Sequence, residues 1–284
     1  MPALFSIHPS SLLRVAVLTA LIGMSDPVNL RAEGLPDQNL EAAIRSVLFD
    51  KKDPAKPLTD EDFKNVYLLE AKGKGIKDLT GLEKCTNLQL LNLARNEIVD
   101  LAPIKDLKKL QSLDLSKNRI VDISALVELK GLQFLELSDN QVVDISPLKG
   151  LAKLSALYMA GNQVADLSPL SEITRLSSLD VAGNQVVELR PLEAVNGLSL
   201  LKLSGNRIVD IAPLAKQTQI RMLFIDRNQI ADLAPLVGTA KEDAAGKKRF
   251  APFLRLYLQE NPLSDDVRKS QIPALKEAGV RIEG

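Results

Sequence analysis

Asparagine recurs along this chain at a fixed interval. Asn96, Asn118, Asn140, Asn162, Asn184, Asn206 and Asn228 stand 22 residues apart, and Asn261 follows after one longer gap of 33. A period this strict is the signature of stacked repeats, each of which buries its apolar face only against its neighbours. Such a stack offers one long repeated surface, so specificity has to reside where the repeats differ.

Three hydrophobic positions precede each Asn by eight, five and three residues, as in Leu110, Leu113 and Leu115 or Leu198, Leu201 and Leu203. The last two spacings have a period of two, which places those side chains on one face of a short strand. The Asn falls where the strand ends, and its amide can pair with backbone groups that the turn leaves bare. Stacking brings equivalent Asn residues to strand spacing, roughly 4.8 Å. The eight Asn are therefore expected to form a structural ladder.

Pro103, Pro147, Pro169, Pro191, Pro213 and Pro235 follow their Asn by seven residues, which suits the first turn of a short 3₁₀ helix. Ser146 and Ser168 precede two of them and suit a cap. An acid recurs at Asp100, Asp122, Asp144, Asp166, Glu188, Asp210 and Asp232. The glycine-rich nonapeptide of calcium-binding ladders is absent, so this column is expected to cap the outer turn.

The L-x-x-L-x-L-x-x-N cores and D-I/L-x-P-L tails resemble the leucine-rich repeat family in its 22-residue bacterial, internalin-like form. The resemblance covers about Val66 to Pro262. It implies an α/β solenoid, a right-handed superhelix with a parallel concave sheet and short 3₁₀ turns on the convex side. It also implies that the concave face binds another macromolecule.

Four segments follow along the chain. Residues 1–32 are expected to be a signal peptide, with Arg14 before the apolar run Val15 to Met24 and cleavage at Ala32 or Ser25. Residues 33–65 resemble a helical N-terminal cap, with Asp37 and a Thr59–Asp62 box as helix starts. Residues 66–262 hold nine repeat strands. A degenerate first repeat carries Lys74 in place of the Asn, and Phe253, Leu256 and Leu258 form the last core triplet. An insertion near 238–249 reads as a charged surface loop that could flank the binding face. Residues 263–284 form a C-terminal cap, with Ser264 as N-cap and Gly279 as stop.

Composition narrows the chemistry. The chain has 36 basic and 36 acidic side chains, and removing Arg14, Arg31 and Asp26 with the signal segment leaves 34 and 35. Near-neutrality gives no pull toward nucleic acid. His8 is the only histidine and lies in the expected signal segment. The rest has no Ser-His-Asp triad, no Cys-His pair and no histidine metal site. Cys85, the only cysteine, aligns with the core residues Leu107, Leu129 and Leu151. No catalytic residue, cofactor, metal or membrane span is expected. The chain is read as a monomeric, exported, periplasmic or extracellular protein.

Residues six and four before each Asn must face the concave side, and these columns vary. Leu200, Met222, Phe224 and Tyr257 form one cluster on three consecutive strands. Phe134 and Tyr158, beside Asp114, Glu136 and Asp180, form a second. The expected function is recognition of a protein, or of a glycan, through these residues. One alternative is an intracellular regulator resembling the leucine-rich subunit of protein phosphatase 1. Another is a carbohydrate hydrolase using Asp114 and Glu136 as paired carboxylates.

Overall fold

The computed structural model describes residues 34–53 and 55–283. The expected signal segment, with His8, Ser25 and Ala32, lies outside them. A single parallel sheet runs in strict sequence order: β1 Leu68–Glu70, β2 Leu90–Asn92, β3 Ser112–Asp114, β4 Phe134–Glu136, β5 Ala156–Tyr158, β6 Ser178–Asp180, β7 Leu200–Lys202, β8 Met222–Phe224, β9 Arg255–Tyr257 and β10 Arg281–Glu283. The strands are short because the middle residue alone is needed for the core. Leu69, Leu91, Leu113 and their equivalents are buried, and the residues on either side face outward onto the open, concave face.

The turn after each strand explains the ladder. The residue just before the Asn adopts a left-handed backbone, with φ near 58° at Arg95 and 66° at Gly161, and this swings the Asn side chain back under the strand. Asn162 is typical. Its Nδ2 donates to Leu137 O and Met159 O at 3.0 Å, and Val142 N donates to its Oδ1 at 2.9 Å. Each such carbonyl serves two ladder residues, since Asn140 Nδ2 also reaches Leu137 O and Asn184 Nδ2 also reaches Met159 O. Buried backbone groups are thus satisfied without water along the whole stack.

On the opposite side each repeat as far as Ala212–Lys216 carries a 3₁₀ turn, such as Ala102–Ile104 or Ser146–Leu148, which inserts a leucine or isoleucine into the core. The recurring acid receives the backbone N–H two residues later, as Ala102 N donates to Asp100 Oδ1 at 2.8 Å. This corrects the capping role expected of Ser146 and Ser168. Those hydroxyls donate to Asp144 and Asp166 instead, because the acid already occupies the site at the turn's start.

Both ends are closed. Helix α1 (Gln38–Val47) covers the first cross-section with Leu40 and Ile44, and α2 (Asp60–Lys64) starts from a complete Thr59–Asp62 capping box. Asp37 joins the lid to the stack. One oxygen receives Asn39 N and Leu40 N, and the other receives Lys77 N and Asp78 N of the first repeat.

The C-terminal end departs from expectation in three ways. The insertion is not a loop: α3 (Ala234–Ala245) is a helix that prolongs the convex turn, buries Leu236 and Ala240, and packs on the turn Ala212–Lys216 and on α4 (Asp265–Glu277). Four alanines in its twelve residues favour helix once the repeat's proline, Pro235, has set the first turn. Its neighbours are convex-side elements, so it does not flank the concave patch. Phe253 is exposed rather than core, and Leu254 is buried in its stead, because the 3₁₀ turn Ala251–Phe253 brings the chain in one residue later. The sheet has a tenth strand, not nine. After Gly279 (φ 105°) the chain reverses, and β10 pairs in parallel with β9.

Candidate functional site

The open face is built from alternate residues of three-residue strands. In-register pairing makes the residues four before each Asn into one continuous row: Asn92, Asp114, Glu136, Tyr158, Asp180, Lys202, Phe224 and Tyr257 are successive Cα partners. A second row holds Leu90, Ser112, Phe134, Ala156, Ser178, Leu200, Met222 and Arg255.

The C-terminal cluster comes together. The Phe224 and Tyr257 rings stack face to face, with centroids 4.1 Å apart and planes 6° from parallel. Leu200 and Met222 lie beside them as Cα partners on β7 and β8, and Met222 is 36% exposed. Lys202 completes this end. Its ammonium lies 5.8 Å from the Phe224 ring centre and pairs with Asp180 at 3.0 Å. A cation over an aromatic face and a half-desolvated ion pair hold one side chain in place.

The central cluster also assembles, with a different character. Phe134 and Tyr158 rings lie 5.7 Å apart and are tilted by 47°. Asp114 and Glu136 are Cα partners on neighbouring strands. Each carboxylate receives the backbone N–H two residues on, Ser116 N at 2.9 Å and Ser138 N at 2.8 Å. Asp180 does the same for Ala182 N and is nearly buried. Burial raises the Glu136 pKa, and the charges of Asp114 and Asp180 push it further despite the opposing hydrogen bonds from Ser138. The two sequence clusters are thus one continuous row, with Asp180 bridging to Lys202.

Lys202 and Arg255 are the residues that column reading passed over. Arg255 pairs with Glu283 of β10 at 2.9 Å, beside the Tyr257 end of the stack. Lys202 was visible in its column as the only cation there. Glu283 carried no signal, since nothing marks the RIE segment as part of the sheet. Among the described residues no group of three or more metal-binding side chains occurs. Cys85 is buried, and burial together with the nearby Glu83 charge pushes its thiol pKa up to about 12. No helix among the described residues is long and apolar enough to cross a membrane.

Comparison with known proteins agrees with this architecture. A family model described as leucine-rich repeats in two copies matches residues 86–128, 108–150 and 130–172. The solved structure of internalin C2 from Listeria monocytogenes is similar at 34% identity, covering 72% of this chain and 89% of that one with a TM-score of 0.69. That of the internalin InlF from the same organism is 31% identical, covering 88% and 76% with a TM-score of 0.71. A leucine-rich repeat protein of Leptospira interrogans shares the fold at 21% identity, with coverage of 80% and 75% and a TM-score of 0.54. No curated protein matches the chain.

Proposed function

This chain belongs to the internalin-like leucine-rich repeat family, and on that premise we propose that it is an exported, non-enzymatic protein that recognises a protein partner on the concave face of its sheet. The fold itself is a protein–protein interaction scaffold. The observation that carries the reading is the contrast between columns. Buried positions repeat leucine, isoleucine or valine, and ladder positions repeat asparagine, whereas the concave row changes at nearly every strand and holds two aromatic pairs. Aromatic residues rimmed by polar groups are the usual anchors of an interface.

The carboxylate pair supports binding rather than hydrolysis. Asp114 and Glu136 are both engaged with their own strand ends, on an open face that does not exclude water. Aromatic side chains on an open face also contact sugars, so a glycan is the second reading. Export rests on the apolar run Val15 to Met24 behind Arg14. An intact N-terminus on cytoplasmic protein would favour the intracellular regulator instead.

The test is a pull-down from the protein's own cell envelope, with Phe224→Ala and Tyr158→Ala variants run in parallel. Loss of the captured partner with either variant supports the reading. Capture unchanged by both refutes a concave interface. Mass spectrometry of the exported chain should place its N-terminus after Ala32 or near Ser25.

A further inference from the structure

We infer that the partner, on the reading just given, presents an extended cationic segment: an arginine or lysine that docks among Asp114, Glu136, Phe134 and Tyr158, followed about six residues away by a large apolar side chain on the Phe224–Tyr257 stack. The charge argument comes first. Of the other carboxylates on this side of the sheet, Asp180, Glu283 and, two before its ladder residue, Asp226 each hold a cation of this chain: Lys202 at 3.0 Å, Arg255 at 2.9 Å and Arg227 at 3.1 Å. Glu70 on β1 stands apart, with Asn92 rather than an acid as its Cα partner. Asp114 and Glu136 enter none of the ion pairs among the described residues. They are adjacent and half-buried, and burial first, then the neighbouring charges of Asp114 and Asp180, raises the pKa of Glu136.

Geometry then selects the kind of cation. Phe134 stands on the same strand as Glu136, and Tyr158 is the Cα partner of Glu136. Two rings beside two carboxylates attract a cation from both sides, through the negative ring faces and the anionic oxygens. A guanidinium fits this best, because it can stack on a ring while its edge meets a carboxylate. At the other end the cation site is already filled by Lys202, which leaves an apolar surface.

The distance fixes the spacing. From β4 to β8 there are four strand intervals, which at about 4.8 Å each make roughly 19 Å. An extended chain rises about 3.3 Å per residue and so covers that span in about six residues. Between the anchors the row carries Asp180 and Lys202, which are paired with each other, and beside them stand the small residues Ala156, Ser178, Ala160 and Ala182, along which a main chain can lie close to the sheet. Common glycans offer hydroxyl and acidic groups rather than cations, so the free carboxylates favour a peptide.

The test is selection of a displayed library of random twelve-residue peptides on the full chain. Enriched sequences should pair an arginine or lysine with an aromatic or large aliphatic residue five to seven positions away. For the best peptide, Kd should rise about tenfold with Glu136→Gln, which removes one charge-assisted contact, and further with Asp114→Asn added. Raised salt should weaken binding in the wild type and much less in that double variant. Val143→Ser, on the outer surface, should change nothing. Enriched peptides without a cation, but dependent on Phe224 and Tyr158, would overturn this inference and leave the concave interface standing. Peptides insensitive to every concave substitution would overturn both. Failure to enrich any peptide would overturn the inference, and a glycan-array signal lost in Phe224→Ala would then identify a sugar ligand.

Discussion

Replacing the ladder asparagines one at a time should cost more at the N-terminal end of the stack than in its middle. In the middle every ladder carbonyl has two donors. Asn162→Ala removes one of two bonds to Leu137 O and one of two to Met159 O, since Asn140 and Asn184 supply the others. The one group left without a partner is Val142 N–H, whose bond to Asn162 Oδ1 is lost. Asn96 has no ladder residue before it, because Lys74 stands in that position. Its Oδ1 receives both Lys74 N and Ile76 N at 3.0 Å, and its Nδ2 is the ladder donor to Ala71 O at 2.9 Å. Asn96→Ala therefore strands three backbone groups. An orphaned buried group costs about 1–3 kcal/mol, so Asn162→Ala should lose about 1–3 kcal/mol and Asn96→Ala roughly 3–7 kcal/mol, the Lys74 N–H being only part-buried. Urea titration followed by far-UV circular dichroism would measure both, with hydrogen exchange at Ile76 and Val142 locating the damage. An equal or smaller loss for Asn96→Ala would refute the shared-donor reasoning. Simple fraying predicts that ordering, because terminal repeats contribute fewer neighbour contacts.

Three further outcomes follow from named contacts. Burial alone would raise the Asp37 pKa, but four backbone N–H donors outweigh it and hold the carboxyl below its usual value. The stabilisation is therefore fully present above the unfolded pKa, near 3.9, and is lost as pH falls through the lower folded value. Asp37→Asn should lower stability at pH 7 by about 2 kcal/mol, and the gap should close in acid-titrated melts. Arg95 holds a left-handed backbone that glycine adopts freely, so Arg95→Gly should stabilise by about 1 kcal/mol. Gly161→Ala should destabilise, because its φ is +66° and the new Cβ would meet Asp139 Oδ1 at 2.7 Å; thermal melts would read both changes. Cys85, with its thiol pKa pushed up to about 12, should resist a thiol-specific chromogenic reagent at pH 8 in the folded chain and react fully in denaturant. Reaction at a comparable rate in both states would show that the lid over the first repeats opens readily.

Local order was legible where the period holds. The spacing of leucines and asparagines, read alone, places each strand, its buried centre and its outward residues, because a 22-residue repeat leaves one register in which every apolar column is covered. It also marks both helix starts in the N-terminal cap, since Thr59–Asp62 and Asp37 are local capping signals. The readings fail where the period breaks. The segment after Gly238 looked like a loop because its residues are charged or small, yet half of it turns one face onto convex neighbours that no local pattern reveals. Phe253 was assigned to the core by counting back from Asn261, and the preceding turn had shifted the count by one.

The period by itself determined the repeat architecture and the identity of the concave columns, since both follow from nearest-neighbour stacking. Tertiary structure alone decided what those columns become. It closed Phe224 on Tyr257, committed Lys202 to Asp180, and brought β10 across to place Glu283 against Arg255. Among the described residues it left Asp114 and Glu136 without a cation. The reason is physical: column membership depends on spacing along one chain, whereas charge compensation and ring contact depend on which side chains reach across strands 22, 26 or 33 residues apart.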